Sequence, residues 1–114
     1  MITKTMVWVT ESFVGFHRWK EAPDSHSFLR SYHRHVFHVK IGVAVDHNDR
    51  DVEFFALKDY LKTHLEDFEG GQFELSCEQI ADILVAEFVK DGYQIQLAEV
   101  SEDGENGATI LCTI

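Results

Sequence analysis

Residues 34–46 alternate in polarity with a period of two. His35, Phe37, Val39, Ile41, Val43 and Val45 share one parity, and His38, Lys40 and Gly42 share the other. Successive side chains of a strand leave opposite faces of a sheet, so this segment predicts a strand with one apolar face. Such a strand is stable only inside a sheet whose apolar side is covered by another layer. The parity that carries the apolar residues also carries histidines. If the strand begins near them, His33 and His35 leave the same face.

The rest of the chain supplies the partners. Residues 5–16 are rich in β-branched and aromatic side chains and read as a first strand. Residues 93–99 alternate again, and residues 107–114 form a short last strand, with the polar, glycine-containing stretch 101–107 as their hairpin connection. Residues 53–66 carry Phe54, Leu57, Leu61 and Leu65 at helical spacing. Residues 76–90 carry Ile80, Ile83, Leu84 and Phe88; Ser76 with Gln79 three positions on suits a capping box, and Gly92 follows as a stop. Gly70 and Gly71 separate the two helices, and residues 20–32, with the only proline, read as a loop. The order strand, strand, helix, helix, strand, strand predicts an α+β domain over residues 1–114. Its four-stranded antiparallel sheet carries both helices on one face. Two open sheet edges need covering, and closing several sheets into a shared ring in a homo-oligomer would cover them.

Charge narrows the partners. There are 20 acidic residues against 10 basic ones, a net charge of -10. This argues against nucleic acid or an anionic membrane and leaves room for a small molecule. No run of about 18 apolar residues is present, and the first residues lack the pattern of a secretory leader. The expected location is the cytoplasm. Arg18, Lys20, Arg30, Arg34 and Lys40 cluster near the histidines. Cys77 and Cys112 have no metal-ribbon spacing and read as reduced thiols in or near the core.

Histidine is the unusual residue, with seven in the chain. His17 ends the first strand. In an antiparallel pair that end lies beside the start of the second strand, so His17 falls next to His33 and His35. Three imidazoles at a tetrahedral ion leave one position open, the arrangement of catalytic zinc. Such an ion polarises a carbonyl or hydroxyl, or lowers the pKa of bound water. His26, His38 and His47 read as loop or sheet-surface residues, and His38 is on the wrong face to join the trio.

Several segments together resemble the 6-pyruvoyl tetrahydropterin synthase / 6-carboxytetrahydropterin synthase family. Phe13-Val-Gly-Phe-His-Arg-Trp19 resembles its first-strand motif. His33-Arg-His-Val-Phe-His-Val39 resembles its His-Gly-His-x-Tyr strand, with Arg34 in place of glycine. Asp51-Val-Glu-Phe-Phe-Ala-Leu-Lys58 and Leu75-Ser-Cys-Glu-Gln-Ile-Ala81 resemble the starts of its two helices, and Ala98-Glu-Val100 with the acidic stretch after it resembles its terminal hairpin. The resemblance spans nearly the whole chain. It implies the tunnelling fold, in which ββααββ units close into barrels by oligomerisation. It implies zinc on His17, His33 and His35, Glu99 anchoring a pterin ring, and Glu78 as the glutamate at the helix start.

The departures are equally specific. The cysteine these synthases use as a base, a few residues before the His-x-His pair, is absent from residues 25–32. Neither Cys77 nor Cys112 is in the right part of the chain to replace it. Glu21 is the candidate substitute base, and His64 is the nearest match to the family's relay histidine. The metal half of the site is retained and the proton-transfer half altered. Two functions follow. One is a zinc-dependent lyase acting on a dihydroneopterin triphosphate-type pterin, with Arg18, Arg30 or Arg34 meeting phosphate. The other is a catalytically degenerate protein that binds a pterin or purine-like ligand without turnover. Biopterin-, folate- and queuosine-type roles are not separated by the sequence.

Overall fold

Two long strands set the frame. In the computed structural model, which describes residues 1–113, β1 (Met6–His17) and β2 (His33–Ala44) pair antiparallel along their whole length. Met6 lies opposite Ala44 at one end and His17 opposite His33 at the other. α1 (Phe54–Leu65), β3 (Gln72–Phe73), α2 (Cys77–Lys90), β4 (Ile95–Glu102) and β5 (Asn106–Leu111) follow. The sheet order is β3-β1-β2-β4-β5.

The period-two reading holds in space. Phe37, Val39, Ile41 and Val43 are at most 1% exposed and face the helices. Leu57, Leu61 and Leu65 of α1 and Ile80, Leu84 and Phe88 of α2 close over them. Burying each such side chain contributes about 1.5–3 kcal/mol, which fixes which face of β2 points inward. α2 begins with the expected capping box: Gln79 N donates to Ser76 Oγ at 3.1 Å, and Ser76 N donates to Gln79 Oε1 at 2.9 Å. The helix therefore starts with its orphan donors satisfied, at a position set by Ser76.

Three local expectations are corrected. The four antiparallel strands are joined by a fifth, β3, which runs parallel to the end of β1. Two residues carry no alternation to read; β3 is held by Phe16 N donating to Gly71 O at 2.9 Å and Arg18 N to Phe73 O at 3.3 Å. The loop 20–32 contains a 3-10 segment, Asp24–Arg30, bent at His26. Arg30 stitches it down through Ala22 O (2.8 Å) and Asp24 Oδ1 (2.7 Å).

The hairpin is also tighter than the sequence suggests. β4 continues to Glu102, which pairs with Asn106, so only residues 103–105 turn. Asp103 and Gly104 take positive φ values of 56° and 71°, which aspartate and glycine tolerate better than most residues. β5 ends at Leu111; of the strand expected over 107–114, Ile114 lies outside the described residues.

The face of the sheet away from the helices is uncovered, with Trp8 53% and Leu111 71% exposed. The Cα radius of gyration is 15.5 Å. A compact chain of this length would have about 13 Å. No helix is long and apolar enough to cross a membrane.

Candidate metal centre

The register of β1 and β2 brings the histidines together without any loop contribution. His17 is directly opposite His33, and Gly15 is opposite His35. The three rings lie edge to face, with centroids 4.6 Å (His17–His33), 5.3 Å (His17–His35) and 4.9 Å (His33–His35) apart. Phe37 forms their floor, stacked on Phe13 at 5.0 Å and meeting the His17 ring at 5.1 Å.

Each imidazole is oriented from outside the cluster. His17 Nδ1 is 3.0 Å from Leu75 O, His33 Nδ1 is 2.9 Å from Ser31 O, and His35 Nδ1 is 2.6 Å from Asp103 Oδ2. A carbonyl or carboxylate oxygen can only accept. For His17 and His33 the contact places the proton on Nδ1 and leaves Nε2 as an acceptor, whereas His35 meets a carboxylate at each nitrogen, Asp103 at Nδ1 and Glu102 at Nε2. This is how metal-ligating histidines are fixed. His33 Nε2 is buried and has no hydrogen-bond partner. A buried acceptor without a partner costs about 1–3 kcal/mol. A cation at the centre removes that cost, so the residues present fit a metal ion.

The fourth member is Glu102. Its Oε2 is 2.8 Å from His35 Nε2 and 3.6 Å from His17 Nε2. One ligand atom from each of His17, His33, His35 and Glu102 lies within 4.8 Å of the others, a group that could hold a metal. Glu102 is reached by parity: Ala98, Val100 and Glu102 point to the helix side of β4, and Glu102 lies opposite Phe37. Reading residues 101–107 as a loop hid this, because the alternation of β4 ends in polar residues.

A cleft of about 780 Å³ opens beside the cluster. His17 and His33 form one wall, the start of α2 with Ser76, Cys77 and Glu78 another, and Trp19 and Leu29 a third; Glu102 and Gly107 are also in its lining. Glu78, singled out from the sequence, is therefore in the cleft. Cys77 is there too, at the start of α2 and so not at the chain position of the cysteine that the resemblance implies. Its thiol donates to Glu102 Oε1 at 3.9 Å. Burial, then the charges of Glu102 and Glu78, push that thiol up to about 12. It keeps its proton at neutral pH.

The other candidates lie elsewhere. Glu99 is opposite Lys40 on the uncovered face, where it accepts from Thr109 Oγ1 at 2.9 Å; the sheet separates it from the trio. His64 sits on α1, 3.8 Å from Glu87 Oε2 and packed on Tyr60 at 4.5 Å, outside the cleft lining. Glu21 is exposed in the turn after Trp19 and is outside that lining as well. Arg18 lines the cleft but is paired with Glu74 at 2.9 Å, Arg30 is spent on its own loop, and Arg34 has the parity opposite to His33 and His35. Asp103, which no sequence motif marks, orients His35.

Comparison with known proteins gives a fold. No family model and no curated protein matches the sequence. Among solved structures, an uncharacterized protein from Wolinella succinogenes superposes with a TM-score of 0.75 at 12% identity, covering 96% of this chain and 99% of that one. The 6-pyruvoyl tetrahydropterin synthase of Caenorhabditis elegans superposes with a TM-score of 0.72 at 17% identity, covering 98% of each chain. The likeness is one of fold over nearly the full length: this chain shares its α+β tunnelling fold with that synthase structure, in a divergent sequence.

Proposed function

We propose that this chain is a zinc-dependent pterin synthase-like protein, with the ion on His17, His33 and His35 and a pterin-type ligand in the adjoining cleft. The observation that carries the reading is the convergence of three Nε2 atoms, each with its Nδ1 already committed. A structural fold has no use for a buried, partnerless His33 Nε2. Zinc suits an imidazole-rich donor set, and bound zinc would polarise a hydroxyl or carbonyl of the ligand. The solved synthase of the same fold supports the pterin class of ligand.

The chain's own groups then divide the work. Trp19 and Leu29 offer apolar area to a flat ring, while Glu78 offers a carboxylate that accepts from ring N–H groups. Glu99 faces the uncovered side of the sheet. A role for it at the ligand would place that ligand against this face, which a second copy of the chain could cover. That face, the exposed Trp8 and Leu111 and the extended shape support assembly into a homo-oligomer, a hexamer or another closed ring.

The reaction class proposed is a carbon–oxygen lyase, which needs a base within reach of the ligand. Cys77 holds its proton, and His64 and Glu21 lie outside the cleft. A triphosphate also finds little help here: among the described residues lining the cleft, the arginine is Arg18, already paired with Glu74, and Glu78 and Glu102 share the wall. These observations favour the second reading, a zinc-holding binder of a pterin or purine-like ligand without turnover.

The deciding experiment incubates the zinc-loaded protein with dihydroneopterin triphosphate and follows products by mass, beside a fluorescence titration with neopterin. Turnover supports the lyase. Saturable binding without turnover supports the binder, and neither binding nor turnover removes the pterin reading.

A further inference from the structure

We infer that residues 18–32 form a self-contained strap along one side of the cleft, and that Arg30 is the positioning residue that holds it closed. The inference rests on the proposed ligand cleft and adds to it a wall that opens and shuts.

The strap is set apart by how it is held. β1 ends at His17 and β2 begins at His33 directly opposite, so the two ends of the segment meet. A surface loop of this length with adjoining ends is an Ω-loop, a unit that packs on itself. The strands and helices are ordered by apolar burial. In the strap, Ala22 at 2% exposure is the one buried residue among 18–32, and Asp24–Arg30 buries none. The entropy lost in ordering these residues is therefore offset by polar ties. Such segments lie at the low-stability end of a fold, the end from which lids are drawn.

The ties form two rungs. Trp19 N donates to Leu29 O at 2.7 Å, so the two residues that wall the cleft are joined to each other. The second rung is Arg30, whose Nε donates to Ala22 O at 2.8 Å and whose Nη2 donates to Asp24 Oδ1 at 2.7 Å. A planar guanidinium fixes both acceptors in direction, which one hydrogen bond does not. The remaining hydrogen bonds inside the strap are turns, Ala22 N to Trp19 O and His26 N to Pro23 O, and the contact between neighbours Ser25 and His26. At the base, Arg18 lies 4.5 Å from the Tyr32 ring and pairs with Glu74, which ties down the ends and leaves the middle to the two rungs.

Arg30 is outside the cleft lining, so it acts only through the wall it holds. The metal side is separate. Ser31 O, which orients His33, follows the clamp and lies at the tied end of the strap. Loss of Arg30 therefore loosens the wall that meets a flat ring and spares the metal ligands.

The test compares wild type, Arg30→Ala, Arg30→Lys and, as a control for lost charge in the same strap, Lys20→Ala, all purified with zinc. Neopterin affinity is read by fluorescence titration, zinc affinity by chelator competition, and opening by chymotrypsin cuts mapped by mass. Phe28, 70% exposed, offers the cut. When opening is fast, cutting tracks the population of the open form. Arg30→Ala is expected to bind neopterin roughly tenfold more weakly, the scale of ordering two wall side chains only on binding. It should be cut several times faster and keep its zinc affinity. Neopterin should protect wild type from cutting, and Lys20→Ala should match wild type throughout. A folded Arg30→Ala that loses zinc and neopterin affinity together overturns the positioning role, and so does one that is cut at the wild-type rate. Wild type and Arg30→Ala that bind neopterin equally well also overturn it. Neopterin that binds no variant removes the pterin reading alone, and faster cutting of Arg30→Ala then supports the strap. Should Arg30→Ala fail to fold, Arg30→Lys keeps the charge but offers one nitrogen for two acceptors and should be cut faster than wild type. A Lys variant cut like wild type overturns the inference.

Discussion

Asp103 Oδ2 lies 2.6 Å from His35 Nδ1, and the other oxygen of the same carboxylate accepts from Val36 N at 2.9 Å. These two hydrogen bonds hold the Asp103 carboxyl below its ordinary value, with the His35 contact as the larger cause. They also tie the β4–β5 turn to the strand that carries two of the three histidines. A turn residue thereby sets the tautomer and tilt of a metal-binding ring.

Asp103→Asn tests this link. The amide keeps the shape but can present its NH₂ where the carboxylate accepted, which disfavours the Nδ1–H form of His35. Zinc affinity is expected to fall about 10–100-fold, the usual cost of losing an outer-shell carboxylate, with the fold retained. Chelator competition together with circular dichroism reads both. Unchanged affinity would show that the backbone alone positions His35.

Cys77 and Cys112 should differ in reactivity. Cys77 is 6% exposed, with its thiol pushed up to about 12, whereas Cys112 is only partly buried. At pH 8, alkylation followed by peptide mapping should label Cys112 and spare Cys77 until the protein is unfolded. Equal labelling of the two would contradict the burial of Cys77 at the cleft. The same shift has a stability consequence. The unfolded thiol loses its proton near 9 and the folded one near 12, so alkali favours the unfolded chain across that window. Cys77→Ser lacks this titration, and its stability should decline less steeply between those pH values.

Gly107 admits no side chain. A Cβ there would lie 2.5 Å from Val100 O and 2.8 Å from the Ser101 Cα, both on the neighbouring strand backbone. Backbone cannot swing aside, so Gly107→Ala should destabilise by about 1–3 kcal/mol. At Gly42 the corresponding atom would meet the Met6 sulfur at 2.4 Å, the movable end of a flexible side chain. Gly42→Ala should therefore cost less. Denaturant melts of both variants make the comparison, and an equal loss would contradict it.

Phe37 separates support from ligation. It is fully buried and forms the floor beneath His17 and His35, with ring centroids 5.1 and 5.8 Å away. Phe37→Ala should cost about 3–5 kcal/mol and loosen the rings, so metal affinity falls along with stability. Phe37→Leu keeps most of the volume and should retain both better. A Leu variant of normal stability that has lost the metal would assign Phe37 a role beyond packing.

The sequence made much of this visible, for physical reasons. A period of two over residues 34–46 determines which face of β2 is buried, and an antiparallel partner then forces His17 opposite His33. Capping of α2 by Ser76 and Gln79 is local chemistry, readable from four residues. What could not be read depends on distant backbone. β3 exists because Gly71 and Phe73 carbonyls meet β1 amides, not because two residues have a pattern. Glu99 and Glu102 are three positions apart and so lie on opposite faces of one strand; only the point where β4 turns decides which one joins the histidines. Cys77 reaches Glu102 because α2 begins beside the end of β4, a tertiary contact that its position in the chain does not suggest.

The central claim is that His17, His33 and His35 hold a metal ion. Elemental analysis of protein purified in the presence of zinc tests it most directly, on wild type and on a His17→Ala/His33→Ala/His35→Ala variant whose fold is checked by circular dichroism. The account predicts about one zinc per chain in wild type and close to none in the variant, as expected when all three imidazole donors are removed. Equal zinc in the two proteins, or none in wild type, would contradict it.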